Sequence, residues 1–370
     1  MCNNLKINKI KYRFIKFLEK KLLGEIVGNM PLNVVRSLIE VIEDGTIREH
    51  FRGLEIYQPT LIEEYNFPNS YPLYFRREKA FDIRYIYKLK NVIISPLSGL
   101  CWIEEGKVFL ESVGSLQRVM GWGRNLVEIA KPVTCIENTE IICFPDTGYF
   151  HVLLEILPVI IYILKNIKNV KVVLPKITSK YQIDILNILL KNNIKEIIIH
   201  SDKPIKIENY ILPAIEPFSG FVTKKDIKIL RETFLPLIDG GNRKFKIYIS
   251  RRGTNRRRLS NEEELENELQ KLGFKIVRLE AYSFIQQVDI INNAEIIIAP
   301  HGAGLANLVF AEKTTKVIEI FPHWLYNDCF ARLAVNNNLQ YNFIRCEYDK
   351  NSSGVIPIKR LIKLINELCT

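Results

Sequence analysis

The chain has 370 residues, of which 47% are hydrophobic and 25% charged, and a formal net charge of +11. This composition excludes a disordered or collagen-like chain, and the length exceeds what one hydrophobic core usually holds, so we expect two domains. The number of cysteines, 7, is odd, and the sequence has no Cys-x-x-Cys pair. Both observations argue against a disulfide framework or a zinc site and predict reduced, buried thiols.

The first residues combine many lysines with a regular apolar stripe. Between residues 5 and 23, isoleucine, phenylalanine and leucine recur at helical spacing, and basic residues surround them. Such a helix can lie on an anionic membrane surface, or its stripe can pack against the rest of the protein, and the pattern leaves both alternatives open. Because no secretory signal follows the basic start, we predict a cytoplasmic protein, held peripherally at the inner face of the cell membrane if the helix binds lipid.

The remainder of the N-terminal segment, assigned to residues 1–90, gives weaker patterns. We predict a further helix over residues 25–44 and an irregular stretch over residues 57–74, which is rich in Tyr, Pro and Asn. The longest apolar run of the chain, residues 152–164, contains Glu155 and Pro158 and is predicted to be too short to cross a bilayer.

Two series of alternating strands and helices follow. The first, residues 91–239, begins with a hairpin over residues 102–111 and continues with strands at 141–144, 171–174, 196–200 and 210–212 and helices at 151–166, 180–191 and 224–238. Residues 239–242, Asp-Gly-Gly-Asn, predict a linker. The second series, residues 244–345, has strands at 245–249, 274–278, 295–299, 316–320 and 341–344, with helices beginning near 261, 283, 304 and 327. An amphipathic helix over residues 358–368 closes the C-terminal segment, residues 346–370, and the alternation predicts parallel sheets.

Residues 294–310 combine a buried strand pattern with a glycine turn and a helix start. The apolar run at 296–299 ends in Pro300-His301, and Gly302 and Gly304 permit a tight turn and a close approach to a ligand. The following helix would direct unpaired N–H groups into the turn, as in sites for phosphate.

Arginines and one glutamate are expected to reach the same crevice. Arg251 ends the strand at 245–249, and the run at 256–258 leads into the next helix, for which Ser260 and Glu263 predict a capping box. Glu319 lies near the carboxyl end of the strand at 316–320. Ligands of open parallel sheets bind outside the carboxyl ends of the strands, so we expect these groups to converge on the glycine turn.

These motifs resemble glycosyltransferase family 61. The resemblance rests on four motifs: Ile249-Ser250-Arg251, the Arg-rich stretch leading into Asn261-Glu262, Ser283-Phe-Ile-Gln-Gln287, and Pro300-His-Gly-Ala-Gly-Leu305 with Glu319. Residues 147–158 match more loosely, with Val152 in place of the usual aromatic residue. Gln286 stands where many members of the family have an acidic residue.

The resemblance implies an α/β protein of the GT-B fold, with two Rossmann-like doubly wound domains facing a central cleft. It also implies an inverting glycosyltransferase that uses a nucleotide sugar, with a UDP-sugar favoured, and needs neither a cofactor nor an obligatory metal. The acceptor would be a glycan or lipid-linked glycan in the synthesis of a cell-surface polysaccharide such as a capsule.

The donor must lose a diphosphate, whose charge has to be neutralised by a metal or by fixed donors. No Asp-x-Asp pair ends a strand, so we predict no metal ligands and assign the charge to Arg251, one or both of Arg257 and Arg258, and the turn. For Arg252 and Arg256 we expect solvated side chains. The remaining predicted donor-binding residues are Gln287, His301, Gly302, Ala303, Gly304, Leu305, Asn307 and Glu319.

Several of these residues have a second interpretation. His301 would assist the leaving group or only brace the loop, and Glu319 would accept from ribose hydroxyls or pair with an arginine. Asn307 and Gln287 could reach the base or sugar, but capping and core roles are favoured for both.

Inversion needs a base on the acceptor side. His151 and Glu155 are four residues apart and therefore lie on one face of a helix, and Asp146 is an alternative in the preceding loop. His50, His200 and His323 have no partner that the sequence reveals.

Two other classes of function fit part of the pattern. A nucleic-acid-binding protein would use residues 251–258 as a phosphate-contacting strip, but this does not explain the glycine turn or Glu319, so we predict no nucleic-acid partner. A GT-B-like domain without catalysis, which binds only sugar nucleotides or glycans, also fits.

Overall fold

The computed structural model describes residues 33–35, 37–72, 74–114, 134–176, 178–190, 194–199, 203–213, 215–216, 219–239, 244–254, 257–350 and 354–369. They form an α/β protein with a nine-stranded sheet, a five-stranded sheet and a two-stranded ribbon. The predicted helix over 5–23, His200, Arg256 and most of the predicted linker lie outside the described residues.

The nine-stranded sheet is mixed. Its order is β1-β7-β6-β5-β11-β8-β9-β10, and β2 also pairs with β5. The parallel part, in which β11, β8, β9 and β10 are neighbours, contains the four strands predicted for the first series. The strands are β1 (Asn33–Val35), β2 (Phe51–Gln58), β5 (Arg84–Ile94), β6 (Cys101–Trp102), β7 (Lys107–Phe109), β8 (Thr134–Cys143), β9 (Val170–Leu174), β10 (Ile194–Ile199) and β11 (Ile205–Pro213).

The described residues of this half of the chain include four helices: α1 (Leu38–Glu43), α2 (Tyr149–Asn166), α3 (Lys180–Leu190) and α4 (Lys224–Phe234). Helix α2 has the length and hydropathy of a membrane-spanning helix, but 67% of it is buried inside the protein. Its apolar side chains pack against the strands of the first sheet and against α4, so here it is a core helix.

The five-stranded sheet is entirely parallel, with the order β13-β12-β14-β15-β16. All five predicted strands of the second series are confirmed, as β12 (Phe245–Ile249), β13 (Phe274–Val277), β14 (Ala294–Pro300), β15 (Lys316–Phe321) and β16 (Gln340–Arg345). The helices that connect or follow them are α5 (Glu262–Lys271), α6 (Phe284–Asn292), α7 (Cys329–Asn336) and α8 (Ile358–Cys369). The central strands β14 and β15 are buried on both faces, which explains their apolar runs.

The two sheets share a hydrophobic core. The ring of Phe234 on α4 lies 4.9 Å from Phe284 on α6 and 6.0 Å from Phe310, measured between ring centroids. A single cluster of buried apolar residues therefore runs from the helices of the first sheet to those of the second.

Four local predictions are wrong. In the described part of residues 25–44, the expected single helix is instead strand β1 followed by the short helix α1. Residues 57–74, which were expected to be irregular, contain the end of β2 and all of β3 (Leu61–Glu64), and β3 pairs with β4 (Glu78–Phe81). The capping box of Ser260 and Glu263 is absent, because Asn261 occupies the N-cap position of α5 and its side chain makes no capping hydrogen bond. Cys135 is exposed, whereas Cys101, Cys143, Cys329 and Cys346 are buried.

Candidate active site

The glycine turn lies where the strand order of the second sheet reverses. β12 lies between β13 and β14. The connection from β12 to β13 therefore leads to one side of the sheet, and the connection from β14 to β15 leads to the other side. Ligands of open parallel sheets bind in the crevice at such a point. Arg251 follows β12 and Gly302 follows β14, and the predicted convergence of the arginine and the turn is confirmed.

The guanidinium of Arg251 lies directly on Gly302. A Cβ atom at Gly302 would stand 3.0 Å from Arg251 Cζ and closer still to Nη1. The Gly302 backbone is extended, with φ −179° and ψ 167°, a conformation that any residue can adopt. The close approach of the Arg251 guanidinium therefore explains why residue 302 is glycine. At Gly304 a Cβ would meet Leu279 Cδ1 at 3.3 Å, so that glycine permits close packing of the following turn.

The segment after the turn is a 3-10 helix, Ala303–Phe310, instead of the predicted α-helix. The Leu305 N–H donates to the Gly302 carbonyl at 3.0 Å, and the Leu305 side chain is buried. The half-buried Ala303 and Gly304 form the first turn, beside Arg251.

Helix α5 sets the direction of Arg251. The Arg251 N–H donates to Glu262 Oε1 at 2.7 Å, and Ser250 Oγ donates to Glu266 Oε1 at 2.5 Å. Both carboxylates are buried and hold the end of β12 from which Arg251 projects. Neither glutamate was among the predicted site residues, although Glu262 belongs to the Asn261-Glu262 motif.

A second arginine stands close to Arg251. Burial lowers the pKa of Arg251, and the charge of Arg257 lowers this pKa further. Arg257 is half-buried and has a left-handed backbone conformation, with φ 56°. The charges of the two guanidinium groups repel each other, and a bound anion would relieve that repulsion.

The other arginines lie in different surroundings. Arg252 Nη1 donates to Glu266 Oε2 at 3.1 Å, and its Nη2 lies 3.6 Å from Glu263. Arg258 is exposed, and no ion pair of its side chain occurs in the described part of the chain. Since Arg251 turns inward and Arg252 is paired with acids, these side chains do not form the continuous strip required by the nucleic-acid alternative.

Glu319 is completely buried beneath the turn. Its carboxylate forms a short ion pair with His301 Nδ1 and accepts a hydrogen bond from Tyr341 Oη at 2.5 Å. The predicted pairing with an arginine is wrong, because His301 takes that place. Contact between Glu319 and a ribose would require this pair to separate. His301 is buried as well, and its ring stacks on Phe321.

Asn307 and Gln287 connect the two halves of the molecule. Tyr149 Oη, at the start of α2, donates to Asn307 Oδ1 at 2.6 Å and lies 3.2 Å from Gln287 Oε1. Both amides are buried, which favours the predicted core roles. Gln286 closes a capping box with Ser283 at the start of α6, a role that a glutamine performs as well as an acid.

His151 and Glu155 form a hydrogen-bonded pair, as their spacing predicted. His151 Nδ1 lies 2.8 Å from Glu155 Oε2, and α2 widens into a π-helical turn over Val152–Ile156 at this pair. The Glu155 side chain is 1% exposed and that of His151 is 32% exposed. In the described part of the chain His151 Nε2 has no hydrogen-bond partner, so this nitrogen is available to a ligand.

A loop that no sequence pattern indicated completes the surroundings of Glu155. Its Oε1 accepts hydrogen bonds from the Gly220 N–H at 2.8 Å and from Ser219 Oγ at 2.9 Å. The Gly220 carbonyl accepts from Arg332 Nη1 at 2.8 Å, and Arg332 Nη2 donates to Asp328 at 3.0 Å. Helix α7 of the second sheet thereby supports the His151–Glu155 pair beside the first sheet.

Asp146 follows β8 and is already engaged. It accepts hydrogen bonds from Ser179 Oγ at 2.7 Å and from Tyr181 Oη at 3.3 Å. Tyr181 and Tyr149 line a cleft of about 380 Å³, which Ala303 and Gly304 border from the other side. The cleft thus lies between the two sheets, next to the glycine turn. No group of three or more His, Cys, Asp or Glu side chains that could hold a metal occurs among the residues that the structure describes.

Comparison with known proteins agrees with the motifs. Residues 149–318 match the family model described as Glycosyltransferase 61, which confirms the resemblance over those residues. The chain is 32% identical over 106 residues to a beta-1,2-xylosyltransferase of Oryza sativa subsp. japonica, covering 27% of this chain and 18% of that protein. It is 34% identical over 107 residues to an EGF domain-specific O-linked N-acetylglucosamine transferase of Mus musculus, covering 26% and 19%. The matches therefore span less than a fifth of either relative.

Proposed function

Because residues 149–318 carry a glycosyltransferase 61 domain, we propose that this protein is an inverting glycosyltransferase that transfers a sugar from a nucleotide-sugar donor to a glycan acceptor. The observation that carries the proposal is the contact between Arg251 and Gly302 at the strand-order reversal of the second sheet. The proposed arrangement is GT-B, with residues 91–239 on the acceptor side and residues 244–345 on the donor side.

The donor diphosphate is proposed to bind between the turn and the arginines. Departure of a nucleoside diphosphate concentrates negative charge on the oxygens nearest the sugar, and preorganised donors stabilise that charge. Arg251 offers a planar pair of N–H groups, Arg257 adds a second positive charge, and the first N–H groups of the 3-10 helix point into the same turn. With this charge supplied by the chain, the proposed reaction needs no obligatory metal.

His151 is proposed as the base that takes the proton of the acceptor hydroxyl. Glu155 holds Nδ1 in its protonated form, so that Nε2 carries the lone pair that accepts a proton. Glu155 is itself a poor base in this place, because Ser219, Gly220 and His151 occupy its oxygens. Asp146 remains the alternative base, but it could act only after its hydrogen bonds from the Ser179 and Tyr181 hydroxyl groups are broken.

His301 is proposed to brace the turn and to assist the leaving group. The imidazole Nδ1 is bonded to the buried carboxylate of Glu319, and the pair stands directly beside Gly302. A ring N–H of His301 would add a hydrogen-bond donor to the charge of Arg251 when the diphosphate leaves.

The finer assignments extend this proposal. A UDP-sugar is the proposed donor, and a glycan or lipid-linked glycan of a cell-surface polysaccharide such as a capsule is the proposed acceptor. We place the protein in the cytoplasm, at the inner face of the cell membrane if residues 5–23 bind lipid.

Nucleotide binding and product stereochemistry test the proposal. Calorimetric titration in EDTA should give binding of UDP with an affinity that Mn²⁺ does not change, and NMR of the product should find the anomeric configuration opposite to that of the donor. Binding that requires a metal would contradict the proposed charge neutralisation, and retention of configuration would contradict a single displacement. Nucleotide binding without transfer to any acceptor or to water would favour the non-catalytic alternative.

A further inference from the structure

Three exposed aromatic side chains, which the proposed chemistry does not use, follow strands at the carboxyl edge of the second sheet, the edge that carries the glycine turn. Trp324 and Tyr326 follow β15 and are 51% and 66% exposed, and Tyr348 follows β16 and is 75% exposed. We call these three residues the aromatic platform. Adjacent strands lie about 4.8 Å apart, so the ends of β15 and β16 stand about 5 and 10 Å from the end of β14.

The loop that carries the platform is firmly held. Arg345 Nη1 donates to the carbonyls of Pro322, His323 and Leu325, at 3.2, 3.4 and 2.7 Å, and Nη2 donates to Tyr74 Oη at 2.7 Å. The same guanidinium lies 4.6 Å from the ring centroid of Tyr326. One arginine therefore fixes the path of residues 322–325 and the position of an exposed ring before any ligand arrives.

The neighbours of the platform match a polyol better than a lipid surface. His323, for which the sequence revealed no partner, packs its ring 5.0 Å from that of Tyr348. Glu347 is exposed and Asp349 half-buried, and they flank Tyr348 with negative charge in a chain whose net charge is +11. An anionic membrane would repel these carboxylates, whereas sugar hydroxyls donate hydrogen bonds to carboxylates and apolar faces of sugar rings pack on aromatic rings.

The chain also connects the platform to the proposed catalytic pair. The loop that carries Trp324 and Tyr326 runs directly into α7, where the ring of Phe330 lies 5.5 Å from that of Phe150, the neighbour of His151. One packed contact between α7 and α2 therefore links this loop to the helix that carries His151.

From this arrangement we infer that the aromatic platform is a binding subsite for a neutral oligosaccharide, which holds the acceptor glycan one or more sugar units away from the reacting hydroxyl. The inference rests on the proposed function, since it assigns the platform to the acceptor.

The test uses the full chain labelled with 5-fluorotryptophan and titrated with cellohexaose, xylohexaose and chitohexaose. The ¹⁹F resonance of Trp324 is identified by its loss in Trp324→Phe. We expect at least one oligosaccharide to shift this resonance. Its affinity, measured by calorimetric titration because the Trp324 variants lack the resonance, should fall about tenfold in Trp324→Ala or Tyr348→Ala and less in Trp324→Phe. Ile62→Ala, which removes a 67% exposed side chain of β3, is the matched control and should leave binding unchanged.

Calorimetric UDP binding by the same samples separates the two proposals. If UDP binds but no oligosaccharide moves the Trp324 resonance, the platform is not a glycan subsite and the proposed function stands. A Trp324 resonance that responds to phosphatidylglycerol vesicles but to none of the oligosaccharides would overturn the inference in favour of a membrane contact. If UDP binds nowhere while an oligosaccharide still binds the platform, the proposed transferase activity fails and the subsite remains.

Discussion

At the scale of single residues, Arg251 and Arg252 offer a matched comparison. They are neighbours of the same type, but Arg251 lies on the glycine turn and Arg252 is paired with Glu263 and Glu266 of α5. We predict that Arg251→Ala weakens UDP binding in EDTA by about 1.5 to 3 kcal/mol, the usual effect of losing a hydrogen bond to a charged group. Arg252→Ala should change the calorimetric affinity little. Equal effects of the two substitutions would contradict the assignment.

Gly302 provides an independent route to the same arginine. Because its backbone is extended, Gly302→Ala introduces no backbone strain, and the new methyl group only displaces the Arg251 guanidinium. We expect UDP affinity to fall about as far as in Arg251→Ala, and the double variant to be no worse than either single one, since both changes remove one interaction. Titrations of the three variants check this. Additive losses would mean that Gly302 acts separately.

His151 is the residue whose replacement should separate chemistry from binding. If it is the base, His151→Ala lowers turnover by about a hundredfold or more while the dissociation constant for UDP stays nearly the same. Glu155→Gln should cost less if Glu155 only orients the imidazole, and at least as much if the carboxylate is itself the base; the amide can turn its single oxygen either to His151 Nδ1–H or to the Gly220 N–H. Steady-state kinetics measures both. Near-normal turnover of His151→Ala would remove it from the mechanism and leave Glu155 or Asp146 to be tested.

At the scale of elements, α7 and the loop at residues 219–220 act as a support for α2. Arg332 is buried, stands 3.8 Å above the ring of Phe221, and connects α7 to the Gly220 carbonyl, while the Gly220 N–H holds Glu155. The π-helical turn at residues 152–156 belongs to the same arrangement, and such turns occur often at functional sites.

This connection predicts that Arg332 is a positioning residue. Arg332→Lys keeps the charge but loses the two-pronged contact to Gly220 and Asp328, so we expect turnover to fall about ten- to a hundredfold with UDP affinity unchanged. In a His151→Ala background the same change should have little further effect on turnover, because the group that it positions is gone. A general loss of folding would instead lower UDP binding and the melting temperature in both backgrounds.

At the scale of the whole molecule, the basic segment at residues 5–23 stays a prediction, since it lies outside the described residues. If it binds anionic lipid, deletion of these residues should move the protein from the pellet to the supernatant of a sedimentation assay with phosphatidylglycerol vesicles, with UDP affinity retained. Binding of the full chain should also weaken as salt is added, because salt screens exposed charges. Failure of the full chain to sediment at low salt would assign the apolar stripe to packing against the protein.

The second half of the chain could be predicted closely from its sequence, because its central strands β14 and β15 are buried on both faces. Apolar runs such as residues 296–299 have few alternatives, whereas the steric reason for Gly302, the approach of Arg251, comes from the tertiary structure. The mixed part of the first sheet was predicted poorly. The pairing of β2 and β11 with β5 depends on partners far away in the chain, and half-exposed strands have weaker patterns.

The sequence by itself determined the class of fold, the alternation of the second series, the four-residue spacing of His151 and Glu155, and the chemistry of Arg251 beside a glycine turn. These follow from local periodicity and from residue types. Only the tertiary structure decided that Glu319 pairs with His301 and Tyr341, that Arg332 and Gly220 support Glu155, and that Arg252 pairs with acids of α5 while Arg251 lies on Gly302. Such partners are chosen by strand order, register and helix packing, which bring together residues that no local pattern connects.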